Sequence, residues 1–184
     1  AEDLVRDAMN RGDVPIVCLR PGTIFGPGGE VFTPMMGFSL GNKAFAVIGR
    51  GDFILPLVYI DNLCDAILTT INSDKGDGKI FNIVDIANNT KRDYINKLIR
   101  KLYPKALVFY IPLTVLHEIV RLQEWLTGLM GRSPFLTRYR LISSQKKIIY
   151  DHSKFSETYE WSQPDTMEKG IEAVLKNEIG KTGS

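Results

Sequence analysis

The chain has 184 residues, 44% of them apolar and 24% charged, which is enough apolar material for one domain or one domain with an appendage. Its formal charge of +2, with Lys and Arg spread along the chain, gives no ground for nucleic-acid binding. No stretch approaches the ~20 apolar residues that cross a bilayer. The nearest, Leu107 to Leu116, is short and broken by Pro112.

In chain order, "AEDLVRDAMN" has Leu4, Val5 and Ala8 at helical spacing and lacks an initiator Met, so it reads as the second half of a helix, with Gly12 as its C-cap. "PIVCLR" then carries four apolar residues without alternation. That pattern predicts a strand buried on both faces, as in a parallel sheet flanked by helices. The strand ends in Arg20-Pro21-Gly22, and a loop with three further glycines follows. "VFTPMMGFSLGNKA" is expected to be helical after a Pro-started turn, and "FAVIGRGD" and "PLVYI" read as strands. Asp61 is placed to cap a helix, "DNLCDAILTTIN", and "KIFNIVD" is a further strand. Thr90 and Asp93 form a capping-box pattern ahead of "RDYINKLIRKLY". "ALVFYIP" is strand-like, and the longest helix runs from Thr114 to Met130. It is followed by "SPFLTRYRLISSQ", a strand "KIIYD", and helices in "HSKFSETY" and "PDTMEKGIEAVLKNE". Strands and helices interleave, so the fold class is α/β, without internal repeats.

Several motifs carry little chemistry. The two "RGD" triplets, at Arg11 and Arg50, fall where turns are expected. "HEIVR" starts like a zinc-protease helix, but Arg121 stands where the second His is required. His152 has no ligand-spaced neighbours, so metal catalysis is rejected. Cys18 and Cys64 match no metal or redox spacing and read as buried, reduced thiols in a cytoplasmic protein. "GPGG" is not a dinucleotide fingerprint, because Val31 occupies the position of the last glycine. What singles the loop out is its place after an apolar strand. In open α/β sheets ligands lie beyond the carboxyl ends of strands, and glycine backbone can offer N–H and C=O groups to a flat, amide-bearing ring. The long helix is read as core packing or as a lid over an apolar pocket.

Four segments in order carry a resemblance. "PIVCLRPGTIFGPGG", "PLVYIDNLCDAI", "KIFNIVD" and "YDHSKFSETYEWSQPDTMEKGIEAVL", the last with Lys154, Trp161, Pro164 and Gly170 at matching places, resemble the C-terminal part of the extended short-chain dehydrogenase/reductase family. That family includes NAD-dependent sugar-nucleotide epimerases and dehydratases and 3β-hydroxysteroid-dehydrogenase-like enzymes. The resemblance implies the C-terminal part of a Rossmann-type NAD(P)-binding fold, its last sheet strands plus a small mixed α/β substrate-binding subdomain, over residues 1–184. The family's glycine-rich dinucleotide loop and Tyr-x-x-x-Lys pair have no counterpart here, and the Lys would fall shortly before Ala1. The chain is therefore expected to be a fragment with no catalytic residue of its own, inactive alone. A homodimer is expected through the edge of the Ile16–Leu19 strand, which would pair with strands outside this chain.

The resemblance further implies NAD or NADP as cofactor, with Pro21, Gly22 and Thr23 at the nicotinamide end. Thr23, Met35, Met36, Phe38, Arg50 and Tyr59 are the implied substrate contacts, although plain packing explains Met35, Met36 and Phe38 equally well. Members resembling galactose epimerase carry an Arg for the diphosphate where this chain has Leu55, which weakens a nucleotide-sugar reading. "PLVYIDNL" and the apolar long helix lean towards a sterol-like alcohol, while Arg132, Arg138 and Arg140 offer a cationic rim for phosphates. The nucleotide-sugar epimerase/dehydratase reading is kept first and the sterol-dehydrogenase-like one second. A non-catalytic binding or assembly module is the reading outside enzymes.

Overall fold

The computed structural model describes residues 2–12, 15–86, 89–129 and 149–182, which form two compact units with interleaved sequence. The first unit comprises residues 1–29, 55–88 and 149–184; the second comprises residues 30–54 and 89–148.

In the first unit, α1 (Glu2–Arg11) stops at Gly12, whose φ of 71° suits glycine and whose N–H donates to the Met9 carbonyl at 3.2 Å. Two parallel ladders follow: β1 (Cys18–Pro21) beside β6 (Ile80–Ile83), and β2 (Thr23–Phe25) beside β5 (Leu57–Tyr59). Gly22 and Thr23 hand the chain from one ladder to the other. The Gly22 N–H donates to Ile83 O at 2.9 Å, and the Thr23 N–H donates to Pro56 O at 2.6 Å. The fully buried strand is β5, not the segment from Ile16 to Leu19, which is half-buried. A run of apolar residues without alternation marked β1 as a strand but did not fix how much of it is covered.

Helix α2 (Ile60–Ile71) buries Asn62, Leu63 and Ala66. Its N-cap is Tyr59, with no side-chain capping bond, so Asp61 lies inside the first turn instead of capping it. Leu63 and Ala66 join Val58, Phe81, Ile83, Phe155 and Tyr159 in one core. Phe155, from α6 (Ser153–Tyr159), meets the rings of Phe81, Tyr159 and Trp161 at centroid distances of 5.5, 4.8 and 5.3 Å. Each such buried side chain contributes about 1.5–3 kcal/mol. α7 (Met167–Thr182) closes the unit. Two further expectations fail here. Cys64 is exposed, because it lies on the outer face of α2, and Ile149 to Asp151 form no strand. The remainder of "KIIYD" and the segment with Arg132, Arg138 and Arg140 lie outside the described residues.

In the second unit, β3 (Gly37–Leu40) and β4 (Ala44–Ile48) form an antiparallel hairpin, and β7 (Leu107–Ile111) pairs with β4 in parallel. The stretch from Val31 to Ala44 was expected to be helical; it is a turn followed by β3. Phe38 and Leu40 alternate with Gly37 and Ser39, and a Cβ on Gly37 would stand 2.0 Å from Ala46 O, so glycine is what lets the two strands close. Gly41, at φ 54°, makes the hairpin turn.

Phe45 and Val47 bury one face of β4; Phe45 meets Phe32 at 5.0 Å and Tyr103 at 5.5 Å. On the opposite face Ile48 packs with Leu116 and Val120 of α5 (Leu113–Leu129). The Thr90–Asp93 capping box is present. It starts α3 (Lys91–Tyr94), which continues as a π turn (Ile95–Ile99) and α4 (Arg100–Leu102), with Ile95, Leu98 and Ile99 fully buried.

Candidate functional site

The expected site residues fall into two groups, one in each unit. In the first unit, Pro21 is exposed and Gly22 and Thr23 are half-buried. A Cβ on Gly22 would stand 2.3 Å from Pro56 O and 2.8 Å from Val84 Cγ1, so the glycine serves the close passage of β1 into β2. The N–H groups of Gly22 and Thr23 are committed to the ladders. The corner therefore does not hold the open amide donors that the sequence suggests there. Arg20 is held back by an ion pair with Glu2, whose carboxyl lies below its ordinary range because of the Arg20 and Arg6 guanidinium groups.

Tyr59 is 3% exposed and packs 5.5 Å from the Phe25 ring. Burial first, and then its bond to Asp61, pushes the phenol up to about 12, so at neutral pH it stays protonated and cannot act as a base. A Cβ on Gly170 would stand 2.7 Å from Tyr59 Cδ2 and 2.9 Å from Phe25 Cε2. The glycine of the closing segment thus lets α7 lie directly on these rings.

Sequence reasoning missed a polar clasp beside Tyr59. Asn62, with no solvent exposure, donates from Nδ2 to Asp85 Oδ1 and to Asp165 O, both at 2.9 Å, and its Oδ1 accepts from the Asp165 N–H at 3.0 Å. Asp85 Oδ2 accepts the Tyr59 N–H at 3.0 Å, and Gln163 Oε1 accepts the Ile86 N–H at 2.8 Å. Burial raises the Asp85 pKa, against the lowering effect of Asn62 and the Tyr59 amide. The clasp fixes where β5 turns into α2. Its signals were Asp-Asn at a strand end and Asp85 just after the "KIFNIV" strand; neither has a spacing that announces a site.

In the second unit, Met36 is 1% exposed and its carbonyl accepts the Ile48 N–H at 2.9 Å, so packing accounts for it. Met35 is half-buried, and Phe38 packs against the Ile48, Leu116 and Val120 cluster. Arg50 is exposed and lines a cavity of about 280 Å³ together with Ile48, Asp52, Phe53, Pro112 and Leu113. Behind this wall Lys91 is fully buried; its Nζ donates to Ile48 O at 3.2 Å and sits 4.9 Å from the Phe53 ring centroid. Burial lowers its pKa to about 8, partly offset by Asp52. Leu55 is buried, at 2% exposure. Among the described residues no cluster of His, Cys, Asp or Glu could hold a metal ion, and no helix is long and apolar enough to cross a membrane.

Residues 1–84 match the NAD dependent epimerase/dehydratase family. Sterol-4-alpha-carboxylate 3-dehydrogenase, decarboxylating, of Candida albicans is 30% identical over 170 residues, 81% of this chain and 48% of that protein. The 3beta-hydroxysteroid-dehydrogenase/decarboxylase isoform 1 of Arabidopsis thaliana is 24% identical over 95% of this chain and 43% of its own length. Among solved structures, UDP-glucuronic acid 4-epimerase from Bacillus cereus, in complex with UDP-glucuronic acid and NAD, superposes with a TM-score of 0.66 at 19% identity, over 98% of this chain and 50% of that one. The dTDP-glucose 4,6-dehydratase of Bacillus anthracis superposes with a TM-score of 0.66 at 13% identity. The chain spans about half the length of the relatives it matches. Its mixed α/β fold is that of Rossmann-type epimerases and dehydratases over that half, and the family match and the sterol-dehydrogenase relatives together support its membership of the extended short-chain dehydrogenase/reductase family.

Proposed function

We propose that the chain supplies the substrate-side portion of an NAD(P)-dependent oxidoreductase that interconverts a secondary alcohol and a ketone. A bound nicotinamide supplies the hydride acceptor or donor. The residues of this chain that would border its ring edge are Pro21, which is exposed, and Thr23, which is half-buried; the Gly22 and Thr23 amides are spent on the sheet and would not hold it. The work of the chain is to hold that corner rigid. The two parallel ladders, the Asn62–Asp85 clasp and the Gly170 contact fix β2, β5 and Tyr59 in one frame, and the phenol of Tyr59, protonated at neutral pH, packs there without moving a proton. Proton transfer from the substrate hydroxyl requires a base that these residues do not provide.

For the substrate, an apolar alcohol of the sterol class is favoured. The observation that carries this is Leu55, buried where a nucleotide-sugar enzyme resembling galactose epimerase places its diphosphate-binding Arg. The sterol-dehydrogenase relatives support the same choice. A nucleotide-sugar substrate is the second reading, supported by Arg50 on the wall of the 280 Å³ cavity. The test is NAD⁺ reduction followed by absorbance, with this chain joined to a dinucleotide-binding half. Turnover of a 3β-hydroxysterol but not of UDP-sugars is expected. Turnover of UDP-sugars alone reverses the order, and binding of NADH without turnover of either class removes both.

A further inference from the structure

We infer that the open end of the β3–β4–β7 sheet in the second unit is a docking surface for an anionic phospholipid bilayer. Register puts Leu40, Ala44 and Leu107 in one row across the three strands, and Phe38, Ala46 and Phe109 in the next. Cross-strand partners point to the same face, so these six residues form one apolar surface. α5 covers that face where Ile48 packs with Leu116 and Val120. Beyond it the face is open: Leu40 is 78% exposed, Leu107 71% and Phe109 47%. Monomeric proteins keep contiguous apolar surface small unless it meets a partner.

Charge identifies the partner. The strands and turns at this end of the sheet, residues 37–48 and 104–111, hold Lys43 and Lys105 and not one Asp or Glu. The Leu107 N–H donates to the Lys43 carbonyl at 2.9 Å, so Lys43 sits beside the two exposed leucines, and Lys105 precedes Leu107 by two residues. Exposed aliphatic side chains rimmed by lysines match the acyl boundary and the anionic headgroups of a bilayer. A second copy fits poorly, because a two-fold contact through this row would set each lysine cluster against itself. Nucleic acid fits poorly as well, since the two most exposed side chains are leucines, which offer no ring for a base to stack on.

The test is flotation of the intact chain with phosphatidylcholine vesicles and with mixed phosphatidylcholine–phosphatidylserine vesicles, in low and high salt. Flotation with the mixed vesicles only, weakened by salt, is expected. K43E/K105E should weaken it about fivefold or more per lysine, and L40S/L107S by at least about tenfold. Both pairs are surface substitutions, with folding checked by circular dichroism, and the salt series needs no variant. The inference is overturned by absence of flotation with mixed vesicles, or by flotation indifferent to salt and to K43E/K105E. It is equally overturned by a concentration-dependent dimer that L40S/L107S dissolves in the absence of lipid binding, or by oligonucleotide binding in place of vesicle binding.

Discussion

Replacing Asn62 by Ala removes the centre of the clasp beside Tyr59. Three bonds are lost: two donated by Nδ2, to Asp85 Oδ1 and Asp165 O, and one accepted by Oδ1 from the Asp165 N–H. The bond to the Asp85 carboxylate is worth roughly 1.5–3 kcal/mol and the two neutral ones about 1 kcal/mol each, giving a loss of about 3–5 kcal/mol. For a domain stable by roughly 5–15 kcal/mol this removes about a fifth of the margin or more. The size should depend on pH. Burial already holds the Asp85 pKa above its ordinary value, and the Asn62 donor opposes that rise. A carboxyl whose pKa is raised on folding stabilises below its ordinary range, and that contribution is lost as pH rises through the folded value. Without Asn62 the folded pKa climbs further, so N62A should lose more stability at pH 7 than in acid. Urea denaturation followed by Trp161 fluorescence, in a W125F background so that only the first unit reports, measures both. A loss under about 1 kcal/mol at pH 7 would refute the account of the clasp, as would a loss that grows on acidification.

Lys91 makes the opposite pH prediction in the second unit. Its ordinary pKa of 10.5 falls to about 8 on folding, so between those values the unfolded chain binds a proton that the folded chain has released, and stability rises with pH. Denaturation curves across that window should show wild type gaining about 3 kcal/mol relative to K91M; parallel pH profiles would show that the buried amine is not the titrating group. G22A drives a Cβ into the Pro56 carbonyl and should cost about 3 kcal/mol or prevent folding, and a midpoint equal to wild type in urea would contradict the close passage described at that corner. Cys64, exposed on α2, should react with a thiol reagent in the native protein well before half-buried Cys18. Equal rates read by absorbance would refute the burial assigned to each.

Local chemistry made much of this fold legible. The Thr90–Asp93 box, the Gly12 stop and the apolar run of the long helix each specify an element from a few neighbouring residues. The hairpin was misread because Pro34 and two methionines suggest a helix start, whereas Gly37 and Gly41 matter only through the strand they approach and the turn they permit. The glycines of the resemblance acquire physical reasons here: Gly22 makes room for Pro56 O, and Gly170 for two rings. Asn62 and Asp85 could not be read, since their roles depend on Asp165, 103 residues from Asn62. The exposed sheet end was hidden for the same reason: Lys43 and Leu107, 64 residues apart, are brought together by the β4–β7 pairing.

The central claim is that the corner from Pro21 to Thr23 borders a nicotinamide. Fluorescence titration of NADH into this chain joined to a dinucleotide-binding half measures it directly, with T23V and a P21A/T23V pair alongside. The account predicts saturable binding that weakens stepwise, about fivefold for the lost hydroxyl bond and further when the proline ring is removed. Binding of equal strength in all three proteins, or no binding at all, would contradict it.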